Sequence, residues 1–260
     1  MRFDVPDPDY TASRRAAGNF VLAVKLVFGF LVVVWSVFLF DQLLELELIR
    51  FGLRPRDGAG LIGLATTPLL HFNLAHLMSN TVPLLIGGTL MLYLFPNASL
   101  RVLPMLFVGT SALAWIFARN HVHIGASGLI YGILAFVFVS GLLRRDVRSV
   151  GAALLVWFLY GSMIWGVLPS APSTSWELHA SGLALGVLFA LVFRHWDRPP
   201  MKRYAWEFED EEHDDVEAPW RQTDVEHGGE RWQGDDLDVH RRDRHRERKL
   251  ERDSEREWLE

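Results

Sequence analysis

The sequence is dominated by recurring apolar stretches about as long as a bilayer is thick, a pattern that few folds can accept. A hydrocarbon core of about 30 Å needs roughly 20 helical residues, and Phe20–Phe40 supplies them with Lys25 as its one charge. Five more stretches follow, at about Pro68–Phe95, Val102–Ala118, Ser127–Leu143, Val150–Leu168 and Leu178–Phe193. Pro96-Asn97, Arg144-Arg145-Asp146 and Pro169–Pro172 punctuate them. Backbone amides in lipid must be paired within their own segment, so each stretch is expected to be helical. The predicted fold is all-α: a polytopic membrane protein with a bundle of six transmembrane helices. Gly, Ser, His and Asn within several stretches fit helices that pack closely or line a polar cavity. The residues before Phe20 are polar and include Pro6 and Pro8, and no small-residue cleavage site follows the first span, which argues against a removable signal peptide.

Charge divides the chain sharply. Residues 1–196 carry 13 Lys and Arg against 9 Asp and Glu, whereas residues 197–260 carry 13 against 22. The expected organisation is a cytosolic N-terminal segment (1–19), a six-helix domain (20–196) and a charged cytosolic tail (197–260). The tail has too few aliphatic residues to offset the entropy of ordering, so disorder or a loose helix is expected. Its Trp206, Trp220, Trp232 and Trp258 offer docking points for a cytosolic partner, although a solubilising extension is the plainer reading. The excess acid sits in this tail, and a nucleic-acid partner has little support. The absence of cysteine rules out disulfides, a cysteine metal site and a thiol nucleophile. With the N-terminus inside, Arg14, Arg15, Arg101, Arg144, Arg145, Arg148, Arg194 and Arg198 fall on the cytoplasmic side, against Arg50, Arg54, Arg56 and Arg119 outside. The positive-inside rule therefore places both termini in the cytoplasm.

Spans two, four and six then run in the same direction, and their polar residues lie in their outer halves. The fourth opens with Gly125-Ala126-Ser127-Gly128 and continues to Tyr131-Gly132, placing Ser127 and Tyr131 on one face and the glycines on another. The sixth contains His179-Ala180-Ser181-Gly182 and then Gly186, a seam that lets backbones approach closely. The second carries His71, His76 and Asn80, the last two facing the same way. Counting back from the inner boundaries Arg144, Arg194 and Pro96 at the rise of an α-helix puts Ser127 at about 25 Å, His179 at about 22 Å and Asn80 at about 24 Å. Residues at a common depth are what a shared site requires.

Together they supply a hydroxyl nucleophile, an imidazole able to take its proton, and donors for an oxyanion from His76, Asn80 and the Ser127 backbone N–H. No intramembrane carboxylate is placed to complete a triad: Glu177 is two residues from His179 and points elsewhere, and Asp146 is at the opposite face. The expectation is a Ser127–His179 dyad needing no cofactor. A zinc site is disfavoured because the histidines of the second span lack the His-Glu-x-x-His pattern and any carboxylate among them. His71 near the membrane boundary suits a loop hydrogen bond, and His121 and His123 suit an external loop, with His123 near the site entrance. A transporter or channel would use such polar residues along a path, yet Ile133–Val139 and Leu183–Phe193 are almost wholly apolar.

These motifs resemble those of bacterial rhomboid proteases, in the family's order and on the expected spans, over roughly Phe51 to Phe193. The resemblance implies a six-helix core in a bacterial-type plasma membrane and cleavage of the transmembrane segments of other proteins. It also implies Ser127 and His179 as the dyad, His76 and Asn80 as oxyanion donors, and Tyr131 packed on the His179 ring. A catalytically silent rhomboid-like protein that binds membrane clients is the alternative, but such proteins are expected to lose the Ser or the His. Many bacterial members have a Trp-Arg motif in a long first external loop; here Asp41–Thr67 has no Trp, and Phe51-Gly52-Leu53-Arg54-Pro55-Arg56 stands in that region.

Overall fold

The computed structural model describes residues 14–169 and 174–197. The expectations for residues 1–13, for the turn beyond Pro169 and for the tail after Asp197 lie outside the described residues. Seven α-helices run through them: α1 (Arg14–Leu44), α2 (Gly63–Thr66), α3 (Leu74–Leu94), α4 (Pro96–Phe117), α5 (Ser127–Arg144), α6 (Val147–Tyr160) and α7 (Trp176–Val192). Of these, α2 is a single turn within the connection from α1 to α3, and α6 continues directly into a 3-10 segment, Gly161–Val167. No strand occurs among the described residues; the β-structure there is an isolated bridge, Leu53 to His123.

Each of the six apolar stretches contains one long helix, with shifted boundaries. Five segments are long and apolar enough to cross a membrane, counting α6 with its 3-10 extension, while α7 has 17 residues and is shorter. α1 begins at Arg14, inside the segment assigned to the N-terminus. α3 begins at Leu74 rather than Pro68, because Thr67–Leu69 forms a 3-10 turn and Asn73 caps the helix, its side chain accepting the His76 N–H at 2.8 Å. Pro96 does not separate two helices by a loop but starts α4, since proline is tolerated where the helix leaves N–H groups unpaired.

α5 is the centre of the bundle. From Gly128 to Val137 every residue is buried, as befits a helix that is apolar all round. It packs against α3, α4, α6 and α7, whereas α1 packs on α3. α1 buries Ala16, Ala23, Val27, Leu31, Val34 and Phe38 along one helical stripe and exposes Phe20, Phe28 and Phe40. Exposed aromatics of that kind are costly in water and at home in lipid.

The contact between α5 and α7 is backbone against backbone. A Cβ on Gly182 would collide with the Gly128 carbonyl oxygen, and one on Gly186 with that of Gly132. These are the glycines whose spacing predicts a close helix pair, and no rotamer can relieve a clash with backbone. At the far end, Asp197 closes the bundle. Its carboxylate accepts the N–H groups of Asn97 (3.1 Å) and Ala98 (2.9 Å) and the Asn97 side-chain amide (2.7 Å), capping α4 from 100 residues away. Nearby, Arg144 donates to the Leu94 carbonyl at 2.6 Å and pairs with Asp146, which caps α6 through the Ser149 N–H.

Gly182→Ala should therefore destabilise the protein by roughly 1–3 kcal/mol or more, read by thermal unfolding in detergent. Gly151→Ala, whose Cβ meets nothing within 4 Å, should leave the transition unchanged or slightly raised. Asp197→Ala should lower stability by about 1–2 kcal/mol through loss of the α4 cap.

Candidate functional site

Ser127 is the first residue of α5. The preceding Gly125 has φ +114°, a conformation glycine adopts at little cost, and it turns the chain from the loop into the helix. That glycine is required twice over, since a Cβ there would lie 2.6 Å from the His76 ring. The turn is held by the Gly125 N–H, which donates to Thr67 O at 2.9 Å, and by the Ala126 N–H, directed at His71 Nε2 at 3.5 Å. An α-helix cannot pair its first amides internally, so the N–H groups at the start of α5 form a donor-rich end beside the Ser127 hydroxyl.

α7 brings His179 to the same point. Nε2 lies 2.8 Å from Ser127 Oγ, and Nδ1 lies 2.9 Å from the Gly166 carbonyl oxygen. A carbonyl can only accept, so Nδ1 carries the proton of the neutral ring and Nε2 faces the hydroxyl as acceptor. Tyr131, one turn below Ser127, stacks on the imidazole with centroids 4.2 Å apart and planes 8° apart. Its hydroxyl donates to Met163 O at 2.7 Å. Both supporting carbonyls come from the 3-10 segment after α6, and 3-10 runs this long are uncommon. Beyond Tyr131, an apolar cavity of about 300 Å³ lies among α5, α6 and α7.

The second span's residues meet the site unequally. His76 is half-buried against Gly125, two residues before Ser127, and its ring is 5.0 Å from that of His71. Asn80 is buried, and its amide donates to the His76 carbonyl at 3.0 Å, which uses one of its two hydrogens within α3. Among the described residues no three His, Asp or Glu side chains converge as metal ligands would. Glu177 does point away from His179, toward Arg119. His123 does lie in the loop between α4 and α5, and it is fully buried there.

Comparison with known proteins places the chain in a family. Residues 59–196 match the model of the Rhomboid domain. The chain belongs to the rhomboid family. Uncharacterised proteins of Mycobacterium bovis and Mycobacterium tuberculosis are 36% identical to it over 191 residues, covering 67% of this chain and 76% of theirs. An uncharacterised protein of Mycobacterium leprae is 33% identical over 203 residues, covering 71% and 76%. It is thus an integral, multi-pass membrane protein with a rhomboid fold.

In this rhomboid the stretch lacking the Trp-Arg motif is anchored by Arg56, whose guanidinium donates to Ala118 O (2.8 Å) and Ile116 O (3.2 Å), closing the C-terminus of α4. Trp115 Nε1 returns a bond to Asp57 O at 3.2 Å. The sequence gives no sign of Gly166 and Met163, because each contributes only a backbone carbonyl. If those carbonyls hold the ring pair, Tyr131→Phe should keep the stack and cost about 1 kcal/mol in thermal unfolding. A Cβ on Gly166 would collide with the Tyr131 hydroxyl oxygen and otherwise meet nothing closer than 3.3 Å. Gly166→Ala should therefore lower the melting temperature, and adding Tyr131→Phe should recover part of the loss.

Proposed function

We propose that this rhomboid is an intramembrane serine endopeptidase that cleaves transmembrane segments of other proteins with a Ser127–His179 dyad. The observation that carries this reading is the two-sided hydrogen bonding of His179: Gly166 O fixes the proton on Nδ1, and Nε2 sits 2.8 Å from Ser127 Oγ. The Gly166 carbonyl takes the orienting place that a carboxylate has in a triad, without adding a charge to be desolvated.

A substrate helix with a weak segment unwinds beside α3, α5 and α7, since an intact helix keeps its peptide bonds paired and shielded. Ser127 Oγ attacks the exposed carbonyl carbon as His179 Nε2 takes its proton. The oxyanion is held by the Ser127 backbone N–H, His76 and the remaining amide hydrogen of Asn80, near the positive end of the α5 dipole. His179 passes the proton to the leaving amine, and water attacks the acyl-enzyme to release the second product. Tyr131 holds the imidazole plane throughout. The catalytic unit spans residues 20–196 of a bacterial plasma-membrane protein with both termini in the cytoplasm, and Ser127 lies toward the outer surface.

The test is labelling of the purified protein in detergent by a fluorophosphonate. Wild type should label, and Ser127→Ala and His179→Ala should each lose labelling and cleavage while still inserting and folding. Labelling undiminished in either variant would remove the dyad, and an unlabelled but folded wild type would favour a silent, client-binding rhomboid. Asn80→Ala should slow cleavage roughly ten- to a thousand-fold; an unchanged rate would remove it from the oxyanion site.

A further inference from the structure

One buried charge has no part in that mechanism. Glu177, 1% exposed and two residues before His179, sits at the start of α7, and its carboxylate is gripped by Arg119 just beyond the end of α4. Arg119 Nε donates to Oε1 at 2.6 Å, its backbone N–H to the same oxygen at 3.2 Å, and Nη2 to Oε2 at 3.3 Å. Nη2 also donates to Thr174 O at 2.8 Å. Behind Glu177, its own carbonyl accepts the Ser181 hydroxyl at 2.7 Å.

The same few residues hold the loop that leads to Ser127. His123 Nε2 donates to the Arg119 carbonyl at 3.0 Å, so Nδ1, 3.0 Å from Ser175 Oγ, accepts that hydroxyl's proton. Burial holds the His123 imidazole below its ordinary pKa, keeping it in the neutral form this pattern needs. Its backbone N–H and C=O both bond to Leu53, each at 2.9 Å. Arg119 and His123 therefore tie residues 119–126, whose next residue is Ser127, to residues 174–177, which lead into His179. A lone buried carboxylate at this place would be costly, and a fork that satisfies both oxygens and a carbonyl is what a guanidinium provides and an ammonium does not.

We propose that Arg119, Glu177 and His123 form a positioning clamp that sets the separation of Ser127 from His179, acting on the reaction through those two residues without touching substrate. Its purpose rests on the hydrolase reading, but its geometry does not. Small displacements of reacting groups cost up to about a hundredfold in rate, so a clamp two residues from the base has leverage out of proportion to its contribution to folding.

The experiment compares wild type with Arg119→Lys, Glu177→Gln and the double variant, each keeping side-chain size so that the protein folds. Fluorophosphonate labelling per folded molecule should fall roughly ten- to a hundredfold in each single variant, with the double variant no slower than the slower single one. His123→Asn, which preserves one acceptor and one donor, should retain more labelling than His123→Ala. The chain has no cysteine, so spin labels can be placed at cysteines introduced at His121 and Thr174 alone. Their distance distribution should broaden with Arg119→Lys. Wild-type labelling rates in the folded single variants, or a loss of labelling that merely tracks the loss of folded protein, would overturn the proposal; so would an unchanged distance distribution. If wild type does not label but the distribution broadens with Arg119→Lys, the protease reading fails and the clamp stands.

Discussion

The structure depends on the backbone contact between α5 and α7. Lipid offers apolar residues no reason to leave it for one another, so helices in a bilayer are held by close packing and by hydrogen bonds between them. Gly128, Gly132, Gly182 and Gly186 remove the side chains that would hold α5 and α7 apart, leaving carbonyl oxygens of α5 where Cβ atoms of α7 would otherwise sit. Only at that separation does an imidazole on one helix reach a hydroxyl on the other. The glycine seam and the Ser127–His179 hydrogen bond are two levels of one arrangement.

A second constraint is that polar groups within the membrane need partners, and at the candidate site His179 and Tyr131 meet it with backbone. His179 and Tyr131 each bond to a carbonyl of the 3-10 segment that follows α6. A backbone carbonyl has two lone pairs, so it can accept a side-chain donor beside, or in place of, an amide of its own segment. α6 thereby supports the site through its C-terminal extension, even though it contributes no side chain to the dyad. Two ion pairs sit at the ends of the helices instead: Arg119 with Glu177 near the site, and Arg144 with Asp146 at the opposite end.

Much of this was legible in the sequence because the bilayer makes composition informative. A fixed thickness turns apolar length into helix number, and a fixed rise turns residue counts into depth, so Ser127 and His179 could be placed level before any contact was known. That count takes the helices as similarly tilted; Arg144 reaches the Leu94 carbonyl and Asp197 the Asn97 amide, so the end of α5 lies by that of α3, and the chain just beyond α7 by the start of α4. The stacking of Tyr131 on His179 was implied by family resemblance and is present. The helix starts were less legible: Pro96 read as a break because proline ends helices as readily as it begins them.

The sequence by itself determined the all-helical membrane fold and carried the motifs of the family, because hydropathy and motif spacing are properties of side chains; it also nominated the residues of the candidate site. The tertiary structure alone decided what orients them. Gly166 and Met163 act through carbonyl oxygens that every residue possesses, and Arg119, His123 and Glu177 are joined across 58 residues of chain. A backbone group carries no mark in the sequence, and a long-range ion pair exists only once the fold brings its partners together.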